Sequence, residues 1–537
     1  MITALTRPFS LIPVRAGILV VLLFSLTPEA APAQVTAFKQ AVAESASRND
    51  PVSAFYRSRD YQPIWTRAED AARRNAFFKA LASVSAHGLP PSRYDAEGLR
   101  AAFAEARSER DRGRLEVLMT EAFVAYAQDV RTGILDPRRV DAGIVREVPR
   151  HDPLATLDAF SRSAPAAFLK SLPPKAPQYV QLMKAKLDIE AVIAKGGWGT
   201  RVRAKSLKPG ENGAAVVELR DRLIAMGYLS RSATQSYDGA IQKAVQFFQI
   251  ENGLTPDGIA GEATITEINR GPEDRLKSIL VAMERLRWMN GLALGQRHIW
   301  VNLPDFTAKI VDDGKVTFET VTVVGMNQSD RRSPEFSDEM EFMVINPTWN
   351  VPRSIAVKEY LPMLKKNPNA AGHLKLVDSR GRVVNRGAVD FSQYTERTFP
   401  FSMSQPPSDG NALGLVKFMF PNPYNIYLHD TPSKSLFQRE VRAFSHGCIR
   451  LGKPFDFAYA LLAKQSADPV GEFKRHLDTR RESVLPLEEF VPVHIVYFTA
   501  WPTAKGRIDY RRDVYGRDGR IFEALEQAGV SLPAVQG

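Results

Sequence analysis

The stretch Ala443-Phe444-Ser445-His446-Gly447-Cys448-Ile449-Arg450-Leu451 holds the single cysteine of a 537-residue chain, beside a histidine and a glycine. One thiol cannot form a disulfide within its own chain, so chemistry is the first use to weigh. An unperturbed thiol, pKa ~8.5, is only a few per cent ionised near neutrality, and a nucleophilic cysteine needs a neighbour that forms or stabilises its thiolate. Tyr427-Leu428-His429-Asp430 offers one. It is strand-like, and fifteen residues separate His429 from Ser445, which is room for a strand, a loop and a return strand. Gly447 has no Cβ and lets the backbone approach a carbonyl, so the N–H groups of Gly447 and Cys448 are candidate oxyanion donors. In an extended segment Arg450 shares a face with Cys448 and can hold a carboxylate in a two-pronged fork. Two other readings stay open: an inert packing cysteine, and a zinc site built from His446, Cys448 and His429, for which no fourth ligand stands at a recognisable spacing. The residue set calls for no metal and no cofactor.

His429, fifteen residues, then Ser445-His446-Gly447-Cys448-Ile449-Arg450 resembles the signature of the L,D-transpeptidases of bacterial cell walls, the YkuD-type catalytic domain. The resemblance implies His429 as the base and Cys448 as the nucleophile, with the other ring nitrogen of His429 held by a backbone carbonyl. It further implies that His446 and Arg450 line the substrate cleft; Gly447, Ser445, Tyr427 and Trp349 complete the expected oxyanion and substrate-binding set. The implied reaction forms 3→3 cross-links in peptidoglycan through a thioester, taking tetrapeptide stems as donors and releasing D-alanine. Carbapenem-type β-lactams are expected to acylate the same thiol, and cell-wall synthases are possible partners. Spacing alone reaches only a Cys/His acyl enzyme. An L,D-carboxypeptidase, a cysteine endopeptidase on peptidoglycan stems and a non-catalytic wall-binding scaffold therefore remain alternatives.

The elements that must position these residues suggest a multidomain α+β chain. Arg7 and Arg15, an apolar run from Ala16 to Leu26 and then Ala31-Pro32-Ala33 read as a signal peptide over residues 1–33, which places the chain in the periplasm, or anchored to the inner membrane if the signal is uncleaved. Residues 34–205 read as a helical scaffold, continued by a helix over 273–290. Thr66 to Glu69 reads there as a capping box, and Phe55, Tyr56, Tyr61, Ile64 and Trp65 as core. Between them, 206–271 reads as a small three-helix module resembling a peptidoglycan-binding domain, whose loop D-G-x-x-G-x-x-T is met by Asp257, Gly258, Gly261 and Thr264. Glycan is the implied ligand; the same residues would also make a tight turn that binds nothing.

At His298 the apolar period changes from helical to alternating, and 296–500 reads as a mostly antiparallel β-sandwich catalytic domain. The alternation lapses over about 354–407, a break expected to form a lid. His494 alternates with apolar neighbours and reads as structural; residues 501–537 read as a tail. A formal charge of +11 raises nucleic acid as a partner, but the basic residues are scattered, and an exported chain meets carboxylate-rich peptidoglycan or anionic lipid first.

Overall fold

Apolar residues at helical spacing fill the first half of the chain, and the computed structural model, which describes residues 36–533, turns them into helices with clear start signals. The signal-peptide reading falls on residues 1–33, outside the described residues. Ser108 and Asp111 form a reciprocal cap on the long helix Glu109–Thr132, whose inward face meets Ala37–Ala46, Asp50–Ser58 and Ala71–Ala82 around a core of Phe55, Trp65, Phe77 and Phe123. The expected Thr66 box is not the cap. Buried Glu116, from the long helix, accepts the N–H groups of Ile64, Trp65 and Thr66 and the Thr66 hydroxyl, and the helix start is capped instead by Asp70 on Arg67. An unpaired buried carboxylate is costly, so Glu116 recruits every donor within reach.

Three short helices, Ala214–Ala225, Gly239–Glu251 and Glu262–Ile268, enclose a separate small core of Val216, Leu223, Ile241 and Phe248. The helix Pro272–Trp288 then lies along Pro177–Ala194 and returns the chain to the helical part. Its Arg275, Glu284, Arg285 and Arg287 are also buried. Arg285 pairs with Glu335 at 2.5 Å and with Asp518 at 3.0 Å, and Arg517 pairs with Glu335 at 3.2 Å.

The β domain is built from β1 (Arg297–Asn302), β2 (Thr307–Asp312), β3 (Lys315–Gly325), β4 (Phe336–Ile345), β5 (Trp349–Asn350), β6 (Lys375–Val377), β7 (Ser402–Gln405), β8 (Val416–Met419), β9 (Leu428–His429), β10 (Ala443–Ser445), β11 (Ile449–Leu451) and β12 (Ser483–Val496). The main sheet runs β10-β3-β11-β9-β8-β4-β12-β1-β2, and β2 also pairs with β3, so the sheet closes on itself. β2 and β3 are joined through Asp313 (φ 49) and Gly314 (φ 75), the doubly left-handed turn that matches strand twist. Antiparallel pairs dominate, while β1–β12, β9–β11 and β3–β10 are parallel. Ile299, Val301, Phe418, Leu428, Ile449 and Leu451 fill the inside.

The lapse in alternation is a cap with its own core of Val357, Leu361, Leu364, Leu376, Phe391 and Met403, and a three-stranded sheet β5-β7-β6. Within the stretch expected as a tail, residues 501–533 carry regular structure. β13 (Ala500–Pro502) and β14 (Ile508–Tyr510) form a hairpin, and the helix Arg517–Gln527 packs on Pro272–Trp288. Arg507 of this hairpin reaches the small module, donating to Glu251 at 2.7 Å and lying 4.3 Å over the Tyr228 ring. His494 has both ring nitrogens tied, to Ser337 Oγ and the Leu294 carbonyl.

Candidate active site

Register brings the expected residues together. In the parallel pair β9–β11, Ile449 stands opposite Leu428 and Arg450 opposite His429. Residues directly opposite share a face, and so do residues two apart on one strand. Leu428, Ile449 and Leu451 point into the core, which leaves Tyr427, His429, Cys448 and Arg450 on the outer face.

His429 is buried, and its Nδ1 hydrogen-bonds the carbonyl oxygen of Asp430. That carbonyl is fixed in turn, because the Asp430 carboxylate takes the N–H groups of Leu415 and Thr431 and the Lys434 ammonium. With Nδ1–H donating, the neutral ring presents Nε2 as its basic nitrogen. Burial, then the Arg450 cation, lower the imidazole to about 3, so it is neutral at physiological pH. The Cys448 residue is partly exposed, and its sulfur donates to the Asn425 carbonyl at 3.4 Å. Crowding by protein atoms pushes the thiol up to about 11, against the opposing pull of Tyr427 hydrogen bonds and the Arg450 charge. The pair is therefore a neutral thiol and a neutral imidazole.

Ser445, Gly447 and Cys448 form a closed turn. The Ser445 hydroxyl donates to the Cys448 carbonyl and accepts the Gly447 N–H at 3.2 Å. The expected use of the Gly447 N–H as an oxyanion donor therefore fails in this conformation, since Ser445 occupies it. The Cys448 N–H has no acceptor among the described residues. Gly447 has φ +118, and a Cβ there would stand 3.2 Å from Ile426 Cδ1, so a side chain is strained on two counts. The Gly447 carbonyl is held by Ser333 Oγ at 2.6 Å, and Ser333 Oγ also accepts the Gly325 N–H. Tyr515, from the stretch expected as a tail, donates to the Gly325 carbonyl at 2.6 Å.

The cap supplies a residue that the sequence reading missed. Glu359, on a π-helical turn Ala356–Tyr360, accepts from His446 Nε2 at 2.5 Å and from Arg331 at 2.8 Å through one oxygen. Its neighbour Lys358 pairs with Asp330 at 2.8 Å. Single π turns inside helices recur at functional sites. Between cap and sheet lies a cleft of about 300 Å³ whose lining includes Trp349, Glu359, Tyr360, Thr431, His446 and Arg450. The Arg450 Nε is buried in that region without an acceptor among the described residues. A buried, unpartnered guanidinium edge is costly unless a ligand completes it.

Residues 296–469 match the model of the L,D-transpeptidase catalytic domain. The chain carries an L,D-transpeptidase catalytic domain. Residues 50–185 match a scaffold domain, and 212–268 match a "Putative peptidoglycan binding domain". The transpeptidase domain is thus accompanied by two further regions in a multidomain α+β chain. A "Putative L,D-transpeptidase" of Haemophilus influenzae is 33% identical over 225 residues, which are 42% of this chain and 45% of the relative. The chain therefore spans under half the length of that curated relative. Among solved structures, the L,D-transpeptidase of Xylanimonas cellulosilytica is 14% identical, with 54% of this chain and 98% of that one covered at a TM-score of 0.16. That of Stackebrandtia nassauensis is 14% identical, with 55% and 97% covered at 0.21. TM-scores of that size do not establish a shared fold.

In the module, the loop residues serve the turn itself. Asp257 accepts from Gln249 Nε2 and the Ile259 N–H, Thr264 Oγ1 accepts from Gln249, and Gly258 donates its N–H to Gln249 Oε1. Gly261 stands at the N-terminus of the helix Glu262–Ile268. No helix among the described residues is long and apolar enough to cross a membrane.

Proposed function

We propose that the chain is a cysteine-dependent L,D-transpeptidase of peptidoglycan, acting in the periplasm behind a cleaved signal peptide or an uncleaved anchor. The observation that carries the reading is the single outer face shared by Tyr427, His429, Cys448 and Arg450, within the part of the chain that matches the catalytic domain family.

The thiol proton passes to His429 Nε2 as the sulfur attacks the carbonyl of the third, diamino-acid residue of a tetrapeptide stem. The Cys448 N–H receives the developing oxyanion, and opening of the Ser445 turn would free the Gly447 N–H as a second donor. The C–N bond to D-alanine breaks, its nitrogen takes the proton from His429, and a thioester remains. The amine of a second stem then attacks this thioester, passes its proton through His429 and regenerates the thiol, leaving a 3→3 link. Arg450 supplies its unpartnered edge to a substrate carboxylate, His446 and Trp349 line the cleft, and Tyr427 stands on the face of the thiol. Water in place of the amine gives a carboxypeptidase. Carbapenem-type β-lactams enter as acylating mimics of the donor.

Mass spectrometry of muropeptides after incubation with disaccharide-tetrapeptide tests the proposal. A tetrapeptide-tripeptide dimer that disappears with Cys448→Ala is the expected product. Tripeptide alone would demote the chain to a carboxypeptidase, cleavage of a cross-linked dimer added in a parallel incubation would make it an endopeptidase, and no product at all would leave a wall-binding scaffold.

A further inference from the structure

The loop that resembles a glycan-binding motif spends its side chains on its own turn, as the Gln249 bonds to Asp257 and Thr264 describe. Aromatic side chains cluster elsewhere, outside β1 and β2. There a cavity of about 450 Å³ opens between the helical part, the outer face of the sheet and the β13–β14 hairpin. That volume lies within the range of roughly 300–1,000 Å³ usual for small-ligand sites. Two half-buried indoles, Trp300 and Trp501, line it with centroids 5.3 Å apart, and buried Phe498 backs both at 6.0 and 4.6 Å. The charged groups of the wall are largely matched. Arg511 faces Asp305 and Asp509, Lys309 faces Glu319, and Lys175 stands at the exposed mouth. Such a wall selects neither an anion nor a cation, but it offers hydrogen-bond donors and acceptors around aromatic faces, which suits a neutral polyhydroxylated ring.

We propose that this cavity docks the amino-sugar backbone of a peptidoglycan strand, with Trp300 and Trp501 as its stacking faces. The inference rests on the peptidoglycan reading of the catalytic site and adds to it the place where the glycan is held. The cavity and Cys448 share the outer surface of the sheet, with Trp300 in line with Glu319 of β3 and Arg450 in line with Val323 of the same strand.

The test is calorimetric titration of the full chain carrying Cys448→Ala with peptide-free glycan strands. Saturable binding is expected, weakened at least ~10-fold by Trp501→Ala or Trp300→Ala. Val316→Glu, at a rim position 53% exposed, should weaken it similarly without lowering the melting temperature, which separates a lost site from a lost fold. Absence of saturable binding, affinity in the Trp501→Ala and Val316→Glu chains as high as in the chain carrying Cys448→Ala alone, or loss caused instead by Ile250→Glu on the exposed face of the module would overturn the proposal. Acylation of Cys448 by a sugar-free tetrapeptide is measured in parallel. It should be unchanged by Trp501→Ala, and its absence in the unmodified chain would refute the transpeptidase reading while leaving the glycan result intact.

Discussion

The thiol of Cys448 should behave as a protected nucleophile that is ionised only during catalysis. Burial raises it to about 11, over two pH units above an ordinary thiol, which leaves at least about a hundredfold less thiolate at neutral pH. His429, lowered to about 3, stays neutral through the whole range and does not pair with a resting thiolate. The assay is alkylation by iodoacetamide, followed by intact mass from about pH 6 to about pH 10. Because the thiol is the protonated form below its raised pKa, the rate should climb close to tenfold per pH unit with no plateau in this range. Arg450→Ala removes a cation that lowers the thiol pKa, so it should slow alkylation at every pH. His429→Asn should leave alkylation near pH 10 intact, where solvent base suffices. The same change should cut acylation by a peptide donor near neutral pH by roughly 10²–10⁴, the usual contribution of a general base. A plateau below about pH 9 would mean a stabilised thiolate at rest, and the neutral-pair reasoning would fail.

Three further outcomes follow from contacts around the site. Glu359→Gln removes the charge shared by His446 and Arg331; for a one-third-exposed carboxylate this is worth about 1–2 kcal/mol, or roughly 5–30-fold more open cap, read as faster hydrogen exchange over 353–366. Raising salt should have the same effect on the unmodified chain and little on the variant; identical exchange in both would remove Glu359 as a cap contact. Glu335→Gln takes one carboxylate charge from two buried guanidiniums, leaving Arg285 to Asp518 and Arg517 to Asp141, and should cost about 3 kcal/mol in denaturant unfolding, whereas a loss under about 1 kcal/mol would contradict the buried-network account. Burial holds Asp518 up at about 7, so its folded form favours the proton; stability should fall as pH rises from the ordinary carboxylate range through about 7, and Asp518→Asn should flatten that slope.

The residues proposed to react could be singled out in the sequence because their signal is local. A histidine closing one short strand and a cysteine opening another carry their spacing in the chain itself, and the parallel register of β9 on β11 turns that spacing into one face. Glu359 had no such signal. It lies 87 positions before His446, on a turn whose composition is ordinary for a helix, and only the fold of the cap aims it at the site. Ser333 and Tyr515 were missed for the same reason, as residues that hold Gly447 and Gly325 from distant segments. The hairpin after residue 500 escaped because its strands are three residues long, too short for any alternation to register. At Thr66 a local capping pattern was real but lost to a buried carboxylate from another helix.

The parallel pairing of β1 with β12 has a consequence for how the molecule comes into being. β1 forms the start of the sheet, yet its partner lies almost two hundred residues later, Ile299 against Val493, and the nearby Arg285 waits a further stretch for Asp518. Contacts of such sequence separation form late, after their loop-closure entropy has been met. A chain emerging from its start therefore carries His429 and Cys448 on strands that have no finished barrel to hold them in register. On the proposed reading, thiol and base are set in register only when β12 and Asp518 have arrived, so an unfinished chain lacks the geometry for acyl transfer.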